Sequence, residues 1–227
     1  MASFVDICNA ALSHIGDSAN VTSIDPPDGS AQAGYCATFF PLALAAILEA
    51  ATWGFATVRS TSAPLASPIS SWRFAYAYPA GLVKMISVLP ACALDDYSAN
   101  FGGLDRDWSS PAPDFANPAE NMYMPRPYAV EQDGEGNQII LTNECNAVLR
   151  YTIEVSDPTK FSPLFVLALS YLVASMLAGP IIKGEDGVQV SAAMLTKYEA
   201  YKGQAMGSDA NQRHIVVEQR VSWMAGR

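Results

Sequence analysis

The chain has 227 residues and a formal net charge of −9; half of its residues are hydrophobic and 15% are charged. This length suits one large domain or two small ones with a sizeable core. The acidic balance excludes a basic nucleic-acid clamp. The low charge, against about 25% in an average globular chain, favours a protein that buries surface against other subunits.

Two helices are predicted at the N-terminus. Ser3 and Asp6 form an S-x-x-D capping signature in front of apolar residues at helical spacing. After a loop rich in Pro and Asp, Ser30 can cap a second helix that runs to about residue 52. Pro41 falls inside this helix and predicts a kink or a break there.

The middle of the chain, from residue 53 to residue 157, favours strands. A turn at residues 133–137 lies between two runs of β-formers, so residues 128–142 are predicted to form a hairpin. Residues 90–126 are rich in Pro, Asp, Gly and Asn and are expected to form a long surface loop. The candidate strands are residues 54–59, 72–78, 82–89, 128–132, 138–142 and 147–155.

The negative charge is concentrated in this middle part. Residues 91–157 contain twelve acids and three arginines, an excess equal to the formal net charge of the whole chain. The two ends of the chain together are therefore neutral.

Helical patterns return in the last third. Residues 161–182 contain no charged residue, with Gly179 and Pro180 expected to interrupt the end of the helix. The run is long enough for a membrane span, but its polar and helix-breaking residues favour a helix buried in protein. We expect burial of Leu169, Leu172 and Met176. A fourth helix at about residues 188–206 would carry on one side Met194, Leu195, Tyr198 and Tyr201.

The C-terminal residues 208–227 form the one basic stretch of the chain, with three arginines against two acids. Their apolar residues alternate as on one side of an extended strand. A frayed terminus is the alternative, but the apolar content favours an arm that orders on a partner by strand addition or by filling a groove. The candidate partner-binding residues are Arg213, Ile215, Val217, Arg220, Val221 and Trp223.

These patterns predict an α+β fold. A helical bundle from the N- and C-terminal helices would carry an inserted β-rich subdomain and an extended C-terminal arm. The expected parts are residues 1–53 (helical domain, first half), 54–157 (β-rich insertion with the long acidic loop), 158–206 (helical domain, second half) and 207–227 (C-terminal arm).

Residue types that carry chemistry are sparse. Cys8 and Cys36 lie on apolar stretches of predicted helices and are interpreted as buried free thiols, since no metal-ligand spacing occurs. The N-terminus shows no signal-peptide pattern, which fits a reducing cytoplasm. His14 ends the first helix, where a partly positive ring would suit the helix dipole. We expect no enzyme activity, cofactor or metal.

Two alternatives involve the acids. Paired carboxylates at residues 95–96 or 105–107, near aromatic residues, could belong to a polysaccharide hydrolase, although acids in such a loop are usually solvated turn formers. Residues 133–137 could hold calcium, but they lack the twelve-residue loop with its closing glutamate, which favours a hairpin tip.

Several segments, in order, resemble the tail tubular protein A family, the head-to-tail adaptors of short-tailed bacteriophages. Residues 5–16 (VDICNAALSHIG) resemble its opening N-x-x-L-x-x-I/L-G helix, and the second helix ends in WGF at residues 53–55. Residues 78–84 (YPAGLVK) resemble its turn into a strand. Residues 160–165 (KFSPLF) and 172–179 (LVASMLAG) resemble its third helix. Residues 90–124 depart from the family pattern.

The resemblance implies a structural virion protein of the tail or neck, assembled in the host cytoplasm. Family members form a homo-oligomeric ring, usually of twelve subunits, that joins the portal protein to the tail nozzle protein. Double-stranded DNA would pass through this ring without specific binding, and no membrane would be involved. Two other functions stay open, namely a tail-associated polysaccharide hydrolase and a single-span membrane-associated protein.

Overall fold

The computed structural model describes residues 2–17, 20–66, 71–90 and 126–212. These residues contain helices and strands in separate runs, so the α+β class is confirmed. The α-helices are α1 (Phe4–His14), α2 (Ala31–Ala50), α3 (Pro163–Ile182) and α4 (Gly184–Ala210). The strands are β1 (Thr57–Thr61), β2 (Pro64–Leu65), β3 (Phe74–Ala77), β4 (Leu82–Leu89), β5 (Tyr128–Gln132), β6 (Gln138–Thr142) and β7 (Val148–Ile153).

The described residues separate into two compact units. The helical unit comprises those up to residue 57 together with residues 152–212, and it contains all four helices. The strand-rich unit comprises the described residues between 58 and 151. Each unit has its own interior.

Helix α1 begins where its capping signature predicts. The Ser3 hydroxyl accepts a hydrogen bond from the Asp6 N–H at 3.1 Å, and the Asp6 carboxylate accepts one from the Ser3 N–H at 2.8 Å. These bonds satisfy backbone donors that have no partner inside the helix. The backbone bond from Ser3 also lowers the pKa of Asp6. The helix buries four residues, Ile7, Cys8, Ala11 and Leu12.

Helix α2 is continuous through Pro41, so the predicted break is wrong. Ser30 caps this helix by accepting a hydrogen bond from the Ala33 N–H at 3.1 Å. Pro41 lacks the N–H that would donate to the carbonyl four residues earlier. Phe40 and Ala43, on either side of it, are buried. Their burial anchors the helix on both sides of the proline, while Pro41 itself is exposed.

Helix α3 is the centre of the helical unit, because α1, α2 and α4 all pack against it. Leu169 and Leu172 are buried as predicted, whereas Met176 is only half-buried. The predicted interruption at Gly179 and Pro180 is also wrong, since the helix runs on to Ile182. The buried residues of α3 are Phe165, Ala168, Leu169, Ser170, Leu172, Val173, Ala174, Ser175, Leu177 and Ala178.

A tight turn ends α3 and starts α4. Lys183 and Gly184 both have positive φ, 63° and 68°. The Lys183 N–H donates to the Gly179 carbonyl at 3.1 Å. In the first turn of α4, a Cβ on Gly187 would lie 3.1 Å from the Ala178 carbonyl oxygen. Glycine at this position therefore allows the two helices to approach closely.

Helix α4 extends beyond the predicted residues 188–206 at both ends. It packs through a narrow stripe of four buried residues, Gly187, Met194, Tyr198 and Ala205. Tyr201 is half-buried, but Leu195 is exposed, contrary to the expectation that it shares this side. Leu195 follows Met194 directly and so points about 100° away around the helix.

Two sheets form the β structure. One has the order β1-β7-β4 and the other β2-β3-β6-β5. The predicted hairpin is confirmed, because β5 and β6 pair antiparallel with Val130 opposite Ile140. The predicted strand at residues 54–59 begins instead as a 3-10 helix, Gly54–Ala56, before β1 starts. Strand β2 lies outside every predicted segment.

We predict that Leu172→Ala lowers the free energy of unfolding by about 2–5 kcal/mol, because it leaves a cavity beside α3. The matched control is Leu65→Ala, which removes the same atoms from an exposed site and should change stability by less than about 0.5 kcal/mol. Denaturant unfolding of dilute protein measures both. Equal losses in the two variants would show that α3 is not the core.

Candidate functional site

All six candidate partner-binding residues lie outside the described residues, which end at Gln212. They are Arg213, Ile215, Val217, Arg220, Val221 and Trp223. What the structure describes is the point from which this segment departs, the last turn of α4.

The end of α4 is fixed to the start of the 3-10 helix that follows α2. Both oxygens of the Asp209 carboxylate accept a hydrogen bond from the Gly54 N–H, at 3.1 and 2.9 Å. A Cβ on Gly54 would lie 3.1 Å from the nearer of these oxygens. The contact thus pairs an acceptor side chain with a residue whose missing side chain leaves room for it. We call it the Gly54–Asp209 joint.

The Gly54 side of the joint is held rigidly by aromatic packing. Trp53 is fully buried, and its indole N–H donates to the Ile47 carbonyl at 2.8 Å. The Trp53 ring meets Phe165 edge-on, with centroids 4.9 Å apart. Phe55 and Phe161 pack against the same Phe165 ring, with centroids 4.9 Å from it in each case. Residue 54 therefore has little freedom to move.

The helical turn continues past Asp209. The Asn211 N–H donates to the Gly207 carbonyl and the Gln212 N–H to the Asp209 carbonyl, both at 3.1 Å. The last described residues are thus held in a hydrogen-bonded turn. Sequence reasoning missed this joint, because it took Asp209 for a tail residue. The signal that could have found it is Gly54, a glycine between two large aromatic residues.

A second polar cluster joins α1, α3 and α4. The His14 ring stacks on Tyr171, with centroids 4.1 Å apart and planes at 11°. Tyr171 in turn stacks on Tyr201 at 5.2 Å and 2°. The Lys197 ammonium lies 5.4 Å from the centroid of the Tyr171 ring, within cation–π range. We call this group the stacked cluster.

His14 also contacts a serine, with its Nε2 atom 3.1 Å from the Ser170 hydroxyl oxygen. The single hydroxyl proton of Ser170 is already directed to the Leu167 carbonyl at 2.8 Å. With that proton on the Leu167 carbonyl, His14 Nε2 donates and Ser170 accepts. In a nucleophilic serine–histidine pair the proton would move the other way. This geometry stabilises helix packing and does not activate the serine.

Burial lowers the pKa of His14, and the charge of Lys197 lowers it further. Both effects favour the neutral ring. This direction runs against the expectation of a partly positive ring that complements the helix dipole. Desolvation and a neighbouring cation oppose the attraction of the α1 C-terminus.

The predicted free thiols are confirmed. Cys8 and Cys36 are both buried and unpaired by disulfide, while Cys145 is exposed. The two buried thiols are close enough to hydrogen-bond each other, which raises the pKa of Cys8. A buried, protonated thiol is unreactive.

Asp133, in the segment considered for calcium, closes a turn. Asp133 accepts hydrogen bonds from the N–H groups of Glu135 and Asn137, at 2.9 and 2.8 Å, and so closes the β5–β6 turn. The bonds from Asn137 are the main cause of the lowered pKa of Asp133. Among the described residues no group of three metal-ligating side chains occurs. The carboxylates considered for a hydrolase, at residues 95–96 and 105–107, lie outside this part.

No protein-family model matches the chain, and no curated protein matches it. In the described part of the chain, α2 and α3 are long and apolar enough to cross a membrane by length and composition. Core helices of water-soluble proteins have the same length and composition. Helix α3 packs against the other three helices, as a core helix does.

We predict that Asp209→Ala releases the Gly54 N–H and speeds its hydrogen exchange. Losing this charged acceptor should lower the free energy of unfolding by about 1 kcal/mol. Asp209→Asn keeps one acceptor oxygen and should retain much of the protection. The neighbouring Ser208→Ala is the control. Unchanged exchange at Gly54 in Asp209→Ala would show that the joint does not form in solution.

We predict a pH-dependent stability from His14. Its folded-state pKa lies below the ordinary value of about 6.5, so the unfolded chain binds the proton first as the pH falls. The contribution of neutral His14 to the free energy of unfolding is then fully present above about pH 6.5 and decreases as the pH falls toward the folded-state pKa. His14→Gln should lose less stability than the wild type between about pH 8 and pH 5 in denaturant unfolding. If the free energies of unfolding of the wild type and His14→Gln fall in parallel with pH, His14 is not the group responsible.

Proposed function

We propose that this protein is a head-to-tail adaptor of a short-tailed bacteriophage, a structural subunit that forms a ring between the portal and the tail nozzle. The observation that carries the proposal is the Gly54–Asp209 joint. It fixes the last turn of α4, which directly precedes in sequence the C-terminal segment with its alternating apolar residues and arginines. Such an arrangement suits a subunit that links to a neighbour.

The proposal includes a specific architecture. The N- and C-terminal helices form one bundle, the β-rich part is an insertion in it, and the C-terminal residues form an extended arm. Support comes from α3, which packs against α1 and α2 from the other end of the chain as well as against α4. A bundle closed by both ends of the chain would give the ring a stable frame, from which the insertion and the arm could reach other proteins.

The charge distribution fits passage of DNA. A conduit must not hold the duplex, and an acidic lining repels phosphates and offers no gain from counterion release. The chain concentrates its acids in residues 91–157. In the proposed ring double-stranded DNA passes without specific binding.

The arm is the proposed contact with the next subunit or with the portal. Ile215, Val217, Val221 and Trp223 would add as a strand or fill a groove, and the arginines would meet acids on the partner. A twenty-residue arm can span roughly 60 Å when fully extended. It is therefore long enough to reach across to a neighbour.

We predict that deleting residues 215–227 leaves a folded subunit that binds portals poorly. The deletion removes the apolar side of the arm and two of its three arginines, while the joint at Asp209 stays. Negative-stain images of the full chain should show rings, and co-sedimentation with purified portals measures attachment. Trp223→Ala should weaken attachment partly. Unchanged affinity after the deletion would show that the arm is not the link.

A further inference from the structure

The exposed large apolar side chains of the helical unit lie on only two helices. Leu42 of α2 is 59% exposed and Val188 of α4 is 68% exposed. Isolated exposed apolar residues are ordinary, but several along one face of a helix mark a contact surface. The described helices expose Tyr35 and Leu42 on α2, and Val188, Leu195 and Met206 on α4.

On α2 the exposed face has little charge. Glu49 is the one charged residue of the helix. The exposed residues recur every three or four positions, opposite the buried face formed by Cys36, Phe40, Ala43 and Ile47. We call this face the α2 stripe; it contains Tyr35, Thr38, Leu42, Ala45, Ala46 and Glu49.

On α4 the exposed face follows the same spacing. It lies about 100° around the helix from the buried stripe through which α4 packs in the unit. Glu199 falls on this face and contacts the Lys202 ammonium, which also lies 4.9 Å from the centroid of the Tyr198 ring. We call it the α4 stripe; it contains the exposed residues Val188, Ala192, Leu195, Glu199 and Met206 and the half-buried Lys202.

The two stripes match in spacing and in charge. Tyr35, Leu42 and Glu49 are seven residues apart, as are Val188, Leu195 and Lys202. Side by side and parallel, the helices would pair Tyr35 with Val188, Leu42 with Leu195, and the Glu49 carboxylate with the Lys202 ammonium. A lysine has three donors, so Lys202 can contact Glu199 of its own chain and a second carboxylate. A seven-residue repeat is the spacing at which two helices pack along their length.

We propose that the α2 stripe of one copy packs against the α4 stripe of the next copy. The choice of a second copy of this chain as the partner rests on the proposed function. Because the two stripes are different surfaces, each copy would use one to bind the copy before it and the other to bind the copy after it. Contacts of this kind generate a ring when the rotation closes. A lipid surface could cover the apolar side chains but has no seven-residue spacing to match that of the two stripes.

The test uses two full-length variants that each break one stripe. Leu42→Glu disables the α2 stripe and Leu195→Glu the α4 stripe, and both sites are exposed, so the fold should stay intact by circular dichroism. Sedimentation velocity should show rings for the wild type and monomers for each variant alone. Gln204→Glu adds the same charge at an exposed position outside the stripe and should leave the rings unchanged.

Mixing the two variants gives the decisive result. Leu42→Glu keeps its α4 stripe and Leu195→Glu keeps its α2 stripe, so the mixture should form one-to-one dimers and nothing larger. Dimers in either variant alone would overturn the inference, because they require a stripe that binds itself. A second result would also overturn the inference. If the wild-type chain floats with phosphatidylcholine vesicles and Leu42→Glu abolishes this flotation, lipid is the partner of the stripe.

The outcomes separate this inference from the proposed function. Rings that survive both substitutions would overturn the stripe contact and leave the adaptor standing. Mixed dimers as expected, together with wild-type rings that fail to bind portals, would overturn the adaptor and leave the stripe contact standing. A wild-type chain that stays monomeric at all concentrations would overturn both.

Discussion

The helical unit depends on the burial of α3, a helix with no charged residue. An apolar helix of twenty residues is stable in water only if other helices cover its sides. Here α1 and α2 come from one end of the chain and α4 from the other, and all three pack on α3. Because α3 is covered by partners far apart in sequence, the two ends of the chain must come together before its surface is buried.

Of the helices that cover α3, α4 leaves much of its own surface exposed to solvent. Helix α4 fully buries only four of its 27 residues. A helix of that length presents several faces, and some of its exposed positions are apolar. Val188 and Leu195 are therefore left in contact with water. A chain with so few charges can fold as a single copy and still carry apolar surface that another copy can bury.

Local patterns predicted most of the described fold. Ser3 with Asp6 marks the start of α1, and the run after residue 162 marks α3. Strands β4, β5 and β6 begin and end where alternation and turns predicted. The errors arose where tertiary contacts overrule local preference. Pro41 stays inside α2 because Phe40 and Ala43, on either side of it, are buried. Helix α4 continues past Gly207, and its last turn forms the Gly54–Asp209 joint.

Candidate-site residues were harder to predict for the same reason. The Gly54–Asp209 contact joins residues 155 positions apart, and no local pattern records such a pair. His14 shows the limit most clearly. Its position at the end of α1 indicated a charged ring, yet its ring nitrogen bonds Ser170 and its face stacks on Tyr171. A helix dipole acts within one turn, whereas burial and the Lys197 charge depend on how four helices pack. The protonation state of a residue between helices is therefore decided by the assembled core, and only the structure supplies it.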